Sequence, residues 1–114
     1  MRILVTVQPQ MYRETLALAL QRYRPDAEVL LHPLESPDGE LERFGPHLLV
    51  RNDNTDGTNL LALVGEELLC WVEILYSDGM DAMIHLDGEV RQIKNISMSD
   101  LLTLVDEVEN LIPA

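Results

Sequence analysis

The chain has 114 residues and carries 20 Asp and Glu against 8 Lys and Arg, a formal net charge of −12. This length predicts a single domain that spans residues 1–114. Hydrophobic residues make up 46%, which is enough for a core and excludes a disordered acidic tail. The negative charge would repel nucleic-acid backbones and anionic membranes, so the composition argues against both as direct partners.

The compartment is predicted from the cysteine count and from the apolar runs. Cys70 is the only cysteine, so no intrachain disulfide can form, and its apolar neighbours predict a small buried hydrophobe. The apolar run at the start of the chain is too short for a signal peptide, and no run approaches the roughly 20 residues of a membrane span. We therefore expect a cytoplasmic protein.

The first half of the chain alternates short apolar strands with helices. Strands are predicted at residues 3–7, 27–31 and 48–50, and a helix that begins at Met11 is ended by Pro25. Ser36 and Pro37 predict the start of a second, short helix that Gly45-Pro46 ends. Helical spacing predicts an apolar face for the first helix, with Arg13 pointing elsewhere, made of Met11, Thr15, Leu16, Ala19, Leu20 and Tyr23.

The second half begins with a loop at residues 52–57, followed by a weak helix at 58–64 and a strand at 69–76. Two strand-like runs at 82–86 and 89–93 flank Asp87-Gly88, a pair typical of a two-residue hairpin turn. Ser97 and Asp100 then predict a capped final helix. One face of that helix carries an apolar stripe made of Leu101, Leu104, Val105, Val108, Leu111 and Ile112.

Strands that alternate with helices and lack polar alternation predict an α/β protein with a mostly parallel sheet covered on both faces. The topology that fits best is a flavodoxin-like, three-layer fold with strand order 2-1-3-4-5. In such a sheet the functional crevice lies at the carboxyl ends of the strands.

Three segments resemble the receiver domain of bacterial two-component response regulators. Residues 3–16 resemble its first strand and first helix, including an Arg-Glu-x-Leu sequence at Arg13-Glu14. Residues 46–52 resemble the run that ends in the phosphorylated Asp, and residues 93–102 resemble the last strand, the Lys turn and the last helix. The resemblance implies a receiver-like fold, with the hairpin replacing most of the fourth helix.

The resemblance also implies where phosphoryl chemistry would reside. Receivers use an acidic pair for Mg²⁺, an acceptor Asp, a Ser or Thr, and a Lys, because carboxylates hold a hard cation that offsets the transferred charge. In this chain Val7 and Gln8 stand at the acidic positions and Asn52 at the acceptor position. Ser77 and Lys94 retain the hydroxyl and lysine positions.

These departures predict a degenerate receiver that binds no metal, uses no cofactor and is not an enzyme. Arg91 also stands where the aromatic switch residue is expected, which alters the usual output surface. The leading hypothesis is a non-catalytic signalling or regulatory domain that acts by protein–protein contact and is not phosphorylated by the usual Asp mechanism.

A homodimer is the predicted assembly. A hairpin at the edge of the sheet would expose apolar side chains beside unpaired backbone groups, a setting that favours pairing with another chain. The candidate interface residues are Met80, Met83, Ile84 and Leu86.

The alternative hypothesis is a small-molecule or anion-binding protein, or an enzyme, that uses the strand-end crevice. Its candidate residues are Asn52, Asp53, Ser77 and Lys94. Asp53 lies one residue past the acceptor position, so it is also the alternative acceptor, although a solvated loop carboxylate is the simpler interpretation. A DNA-associated regulator subunit is a third possibility, with direct DNA contact disfavoured by the charge.

Overall fold

The computed structural model describes residues 1–7, 10–31, 44–52, 68–75 and 81–112. Within these ranges the chain forms, in order, β1 (Arg2–Val5), α1 (Gln10–Tyr23), β2 (Glu28–Leu31), β3 (Leu48–Asn52), β4 (Cys70–Leu75), β5 (Asp81–Leu86), β6 (Glu89–Ile93) and α2 (Met98–Leu111). The helices predicted after Ser36 and at residues 58–64 lie outside the described residues, except for Phe44, and so does the turn after β4.

The described strands form one mixed sheet in the order β2-β1-β3-β4-β5-β6, so the protein is α/β. β1 pairs in parallel with β2 and β3, and β3 pairs in parallel with β4. β5 is antiparallel to both of its neighbours. The expected mostly parallel sheet of order 2-1-3-4-5 is therefore corrected to a six-stranded mixed sheet.

The lengths of the connections explain this difference. Parallel neighbours need a crossover of about a dozen residues, whereas antiparallel neighbours can be joined by a short loop. Only residues 76–80 separate β4 from β5, and only Asp87 and Gly88 separate β5 from β6. Both turn residues have positive φ, 50° at Asp87 and 80° at Gly88, as the predicted hairpin requires. The predicted hairpin is confirmed.

Helices α1 and α2 pack against one face of the sheet. The core between them includes Ile3, Val50, Val72 and Ile84, which are at most 1% exposed. Alternate strand residues point to the other face, where Leu4 and Leu49 are fully buried in a second, smaller cluster. Both described helices cover the first face, and on the opposite face Phe44 packs against the smaller cluster.

The buried face of α1 differs from the predicted one. Arg13, Leu16, Ala17 and Leu20 are buried, whereas Met11 is 78% exposed. Positions i, i+3, i+4 and i+7 lie on one helical face, so the structure keeps a helical stripe but places an arginine at its first position. The predicted face differs from the observed one because the prediction treats every charged residue as exposed. It therefore excludes Arg13 from the buried face.

Helix α2 begins as the sequence predicts, and four of the six residues of its predicted apolar stripe are buried. The Ser97 side chain accepts a hydrogen bond from the backbone N–H of Asp100, and the Asp100 carboxylate accepts one from the backbone N–H of Ser97. This reciprocal pair is a capping box, which satisfies two backbone donors at the helix start. Leu101, Leu104, Val105 and Val108 form the buried stripe, while Leu111 is 42% exposed.

Both described helices contain 14 residues. No helix in the described part of the chain combines the length and the apolar character that a bilayer crossing requires.

Candidate functional site

The carboxyl ends of β1 and β3 form the topological switch point of the parallel part of the sheet. From β1 the chain continues to β2 on one side, and from β3 it continues to β4 on the other side. Open α/β sheets bind their ligands at such a point, in the crevice beyond the carboxyl ends of the strands. A ligand site in this sheet is therefore expected at this edge.

Three buried polar or charged side chains of the described residues lie at this edge: Thr6, Arg13 and Asn52. Their exposed fractions are 0%, 7% and 4%. Thr6 follows β1, and its backbone N–H donates to the Val50 carbonyl oxygen at 2.9 Å, while its hydroxyl lies 3.4 Å from the same oxygen. Buried polar groups need partners and are often retained for a function, so their clustering at the switch point marks this edge as the candidate site.

Asn52 is the last residue of β3 and is buried. Its carboxamide stands at the position that corresponds to the acceptor Asp in the receiver resemblance. Val7, at one of the two acidic positions, is fully buried, and its side chain has no metal-binding group. Gln8, at the other acidic position, lies outside the described residues.

Arg13 is the functional candidate that sequence reasoning missed. Its position in α1 brings the guanidinium to the end of β1, where Nη1 lies 3.5 Å from the carbonyl oxygen of Val7. A donor–acceptor distance of 3.5 Å is at the weak limit of a hydrogen bond. A sequence signal was available, because Arg13 is spaced three, four and seven residues before Leu16, Ala17 and Leu20.

Lys94 does not lie beside Asn52. It follows β6 and is exposed, at the same edge of the sheet as the end of β3. β4 and β5 stand between β3 and β6, and three strand spacings amount to about 14 Å. The antiparallel β5 thus separates the lysine from the switch point. The other two candidates for this crevice, Asp53 and Ser77, lie outside the described residues.

Arg91, at the position of the receiver's aromatic switch residue, forms an ion pair with α2. Its Nη1 lies 3.0 Å from Oε2 of Glu107, and its Nη2 lies 3.9 Å from Oε2 of Glu89. The side chain is therefore fixed by carboxylates on the helix-covered face of the hairpin.

The predicted interface patch requires a correction at two of its four residues. Ile84 and Leu86 are 1% and 5% exposed, because alternate residues of β5 point into the core under α2. Met83 points to the opposite face and is half-buried, and Met80 lies outside the described residues. Ile84 and Leu86 therefore cannot form an exposed apolar patch in this fold.

The opposite face of the hairpin carries an aromatic pair instead. The rings of Trp71 and His85, which are cross-strand neighbours, stack with centroids 4.6 Å apart and an angle of 10° between their planes. Nε2 of His85 lies 3.5 Å from Oε1 of Glu73. The pair lines an open cavity of about 440 Å³ that extends to Asp87, Glu89 and Val90 at the end of the hairpin.

Among the described residues, neither a metal-binding cluster nor a reactive cysteine provides a further functional site. Within the described ranges, no group of three or more His, Cys, Asp or Glu residues is placed to hold a metal ion. Cys70 is fully buried, and burial raises the pKa of its thiol to about 12, so the reactive thiolate is disfavoured.

A second cavity of about 260 Å³ between the N-terminal ends of α1 and α2 is mainly apolar, with Tyr12, Leu16 and Ile96 in its lining.

A scan of family models and searches of curated proteins and solved structures found no match to this chain.

Proposed function

We propose that this chain is a non-catalytic, receiver-like regulatory module that acts by protein–protein contact. In this proposal the usual aspartate phosphorylation does not occur. The observation that supports it most is the neutral, buried side chain of Asn52 at the end of β3, in a sheet whose first four strands are parallel in the order 2-1-3-4. That arrangement is receiver-like, but the side chain at its acceptor position cannot form an acyl phosphate.

The electrostatics of the switch point support the same proposal. Phosphoryl transfer of this kind depends on a divalent cation that carboxylates hold beside the transferred group. Here the apolar Val7 follows β1, and the guanidinium of Arg13 lies near the Val7 carbonyl. A fixed positive charge at this place repels a second cation, so Mg²⁺ binding is disfavoured.

Incubation with acetyl phosphate and Mg²⁺, followed by intact-mass measurement, tests this part of the proposal. We expect the mass of the protein to remain unchanged, while a receiver domain of known activity, treated in parallel, gains one phosphoryl group. An added phosphoryl group that disappears in the Asp53→Asn variant would contradict the proposal, because Asp53 would then serve as the acceptor.

The contact surface in this proposal is the outer strand of the hairpin. In the described part of the chain, no strand pairs with β6 on the side away from β5. A two-residue turn makes Leu86 and Glu89 a hydrogen-bonded pair, so the backbone groups of Val90 and Gln92 point outward. The Val90 side chain is 56% exposed. An outward row of backbone donors and acceptors is a template for another strand.

We propose a second copy of this chain as the occupant of that edge, which forms a homodimer. Antiparallel pairing of two β6 strands about Arg91 would place Val90 opposite the second copy's Gln92, with no carboxylate facing another. Arg91 already lies 3.0 Å from Glu107, so its charge is offset in each copy. The contact between the two β6 strands thus avoids the repulsion between carboxylates that a net charge of −12 would cause at other surfaces.

Light scattering coupled to size-exclusion chromatography tests self-association. We expect wild type to elute as a dimer and Val90→Glu to shift to the monomer, because the variant replaces an apolar contact between the two β6 strands by a carboxylate and adds a negative charge to each copy. Leu18→Glu is the matched control, since Leu18 is 71% exposed on α1, away from β6. A monomeric wild type, or equal loss of dimer in both variants, would refute the edge-to-edge contact.

A further inference from the structure

The switch point holds a positive charge with little compensation. Arg13 is 7% exposed, and its one hydrogen bond to the described residues is the 3.5 Å contact with the Val7 carbonyl oxygen. A guanidinium has five N–H donors and no acceptor, so most of its hydrogen-bonding capacity remains unused by those residues. Burial of a charge is costly unless the charge is paired and hydrogen-bonded.

The chain contains many carboxylates that could pair with Arg13. Acidic residues outnumber Lys and Arg by 20 to 8. Among the described residues, carboxylates instead contact the basic side chains of Arg24, His85 and Arg91. No carboxylate in the described ranges forms an ion pair with Arg13. Arg13 is thus the most buried of the described arginines, and no described carboxylate offsets its charge.

The position of Arg13 fits a ligand better than it fits a structural ion pair. Its guanidinium lies at the carboxyl edge of the sheet, at the switch point where α/β sheets bind ligands. Asn52, which contributes a side-chain amide, ends the neighbouring strand at the same edge. Arginine binds carboxylate and phosphate groups through two parallel N–H···O bonds, which suits an oxyanion that enters from this edge.

We propose that Arg13 anchors a binding site for a small oxyanion at the ends of β1 and β3, with its guanidinium as the cation that binds the ligand. The site needs no metal ion, and it does not use Lys94, which lies beyond two further strands. It goes beyond the proposed protein-contact function and does not depend on it, because β6 and the switch point are separate parts of the sheet. Occupancy of the site stabilises the fold by offsetting the charge of Arg13.

Thermal unfolding with inorganic phosphate tests the site, and sodium chloride at equal ionic strength corrects for general screening. We expect phosphate to raise the Tm of wild type above the chloride value, since a ligand that binds only the folded state stabilises it. Sodium acetate forms a parallel arm that determines whether the site also accepts a carboxylate. If neither phosphate nor acetate raises the Tm above chloride, the proposal is wrong.

Two arginine variants locate the effect. Arg13→Met keeps the length of the side chain and removes its charge, and we expect the apparent phosphate affinity to fall by about tenfold to a hundredfold. Arg22→Met is the matched control, because Arg22 is exposed on the same helix, and its phosphate response should equal that of wild type. An unchanged response in Arg13→Met would overturn the proposal.

Asn52→Asp gives a test that does not require Arg13 to be replaced. The new carboxylate would supply the missing negative charge at the switch point, so we expect a higher Tm without phosphate and a smaller phosphate response. This variant decides the matter if Arg13→Met does not fold. A phosphate response as large as that of wild type would place any bound anion elsewhere and refute the site.

Discussion

Arg24 and Asp106 connect the end of α1 to α2 through a bidentate ion pair. Nε and Nη2 of the guanidinium donate to the two carboxylate oxygens of Asp106, each at 2.8 Å. The hydrogen bonds from Arg24 hold the pKa of Asp106 below its ordinary value of 3.8, and they raise the pKa of Arg24. Both groups are accessible to solvent, so screening keeps the contribution of the pair small.

The first prediction concerns the pH dependence of this pair. Because the pKa of Asp106 is lower in the folded state than in the unfolded state, the pair stabilises the fold above the unfolded pKa. That stabilisation is lost as the pH falls through the lowered folded pKa. We expect Asp106→Asn to be less stable than wild type at neutral pH, and the difference to vanish at strongly acidic pH.

Urea unfolding across this pH range measures the effect, with Asp26→Asn as the control. Asp26 is exposed and forms no ion pair with the described residues, so its variant should follow wild type at every pH. A stability difference for Asp106→Asn that persists below the lowered pKa would show that the ion pair is not its cause.

Asn52, Val7 and Arg13 show what could and what could not be predicted at the scale of single residues. The sequence shows that Asn52 and Val7 are neutral, and their burial agrees with a switch point that lacks carboxylates. It does not show that Arg13 is buried, because α1 rotates to place that side chain over the end of β1. Helix rotation depends on the packing of the whole face, which is a tertiary property.

At the scale of elements, the apolar residues of α1 differ in burial, and only the buried ones pack against the sheet. Leu20 is fully buried under the sheet, whereas Leu18 is 71% exposed. The second prediction is that Leu20→Ala lowers the free energy of unfolding by about 2–5 kcal/mol, because it leaves a cavity in the core. Leu18→Ala should change it by less than about 0.5 kcal/mol. Urea denaturation of both variants measures the difference, and similar losses would mean that the buried face of α1 is assigned incorrectly.

The start of α2 gives the third prediction. Ser97→Ala removes the side chain that accepts from the Asp100 N–H at 3.1 Å, and we expect a loss of about 0.5–2 kcal/mol in stability. Ser99→Ala, an exposed change in the first turn, is the control and should have little effect. Chemical denaturation distinguishes the two, and equal losses would argue against a role for the capping box.

The hairpin shows which features cannot be predicted from single elements. Asp87-Gly88 predicts the turn, and both residues have the positive φ that it requires. The turn does not indicate which face of the hairpin is covered. Ile84 and Leu86 were predicted to be exposed, yet they lie in the core because α2 folds over that face. The packing of α2 therefore decides the exposed surface, and it leaves Trp71 and His85 on the other side.

At the scale of the whole molecule, the net charge of −12 is the dominant electrostatic property. Charges of one sign on a chain of this size repel one another, and the repulsion opposes the compact state. Salt screens charges that are separated by more than about 10 Å at 0.1 M, so it reduces this repulsion more than it weakens close ion pairs.

The fourth prediction is that sodium chloride raises the Tm at neutral pH. The effect should shrink near the isoelectric point of about 4.4, where the net charge vanishes and little repulsion remains to be screened. Calorimetry at both pH values measures this, with sucrose as an uncharged control for general solute effects. A Tm that falls with salt at neutral pH would indicate that attractive ion pairs outweigh the repulsion.

The sequence by itself determined the features that depend on local chemistry: the capped final helix, the two-residue hairpin and the apolar strands. These follow from side chains within a few residues of one another, so the pattern is sufficient to predict them. Only the tertiary structure decided which face of α1 is buried, that β5 separates Lys94 from Asn52, and that Arg13 lies at the switch point. Those features depend on how elements distant in the chain pack together, and side-chain order along the chain does not record that packing.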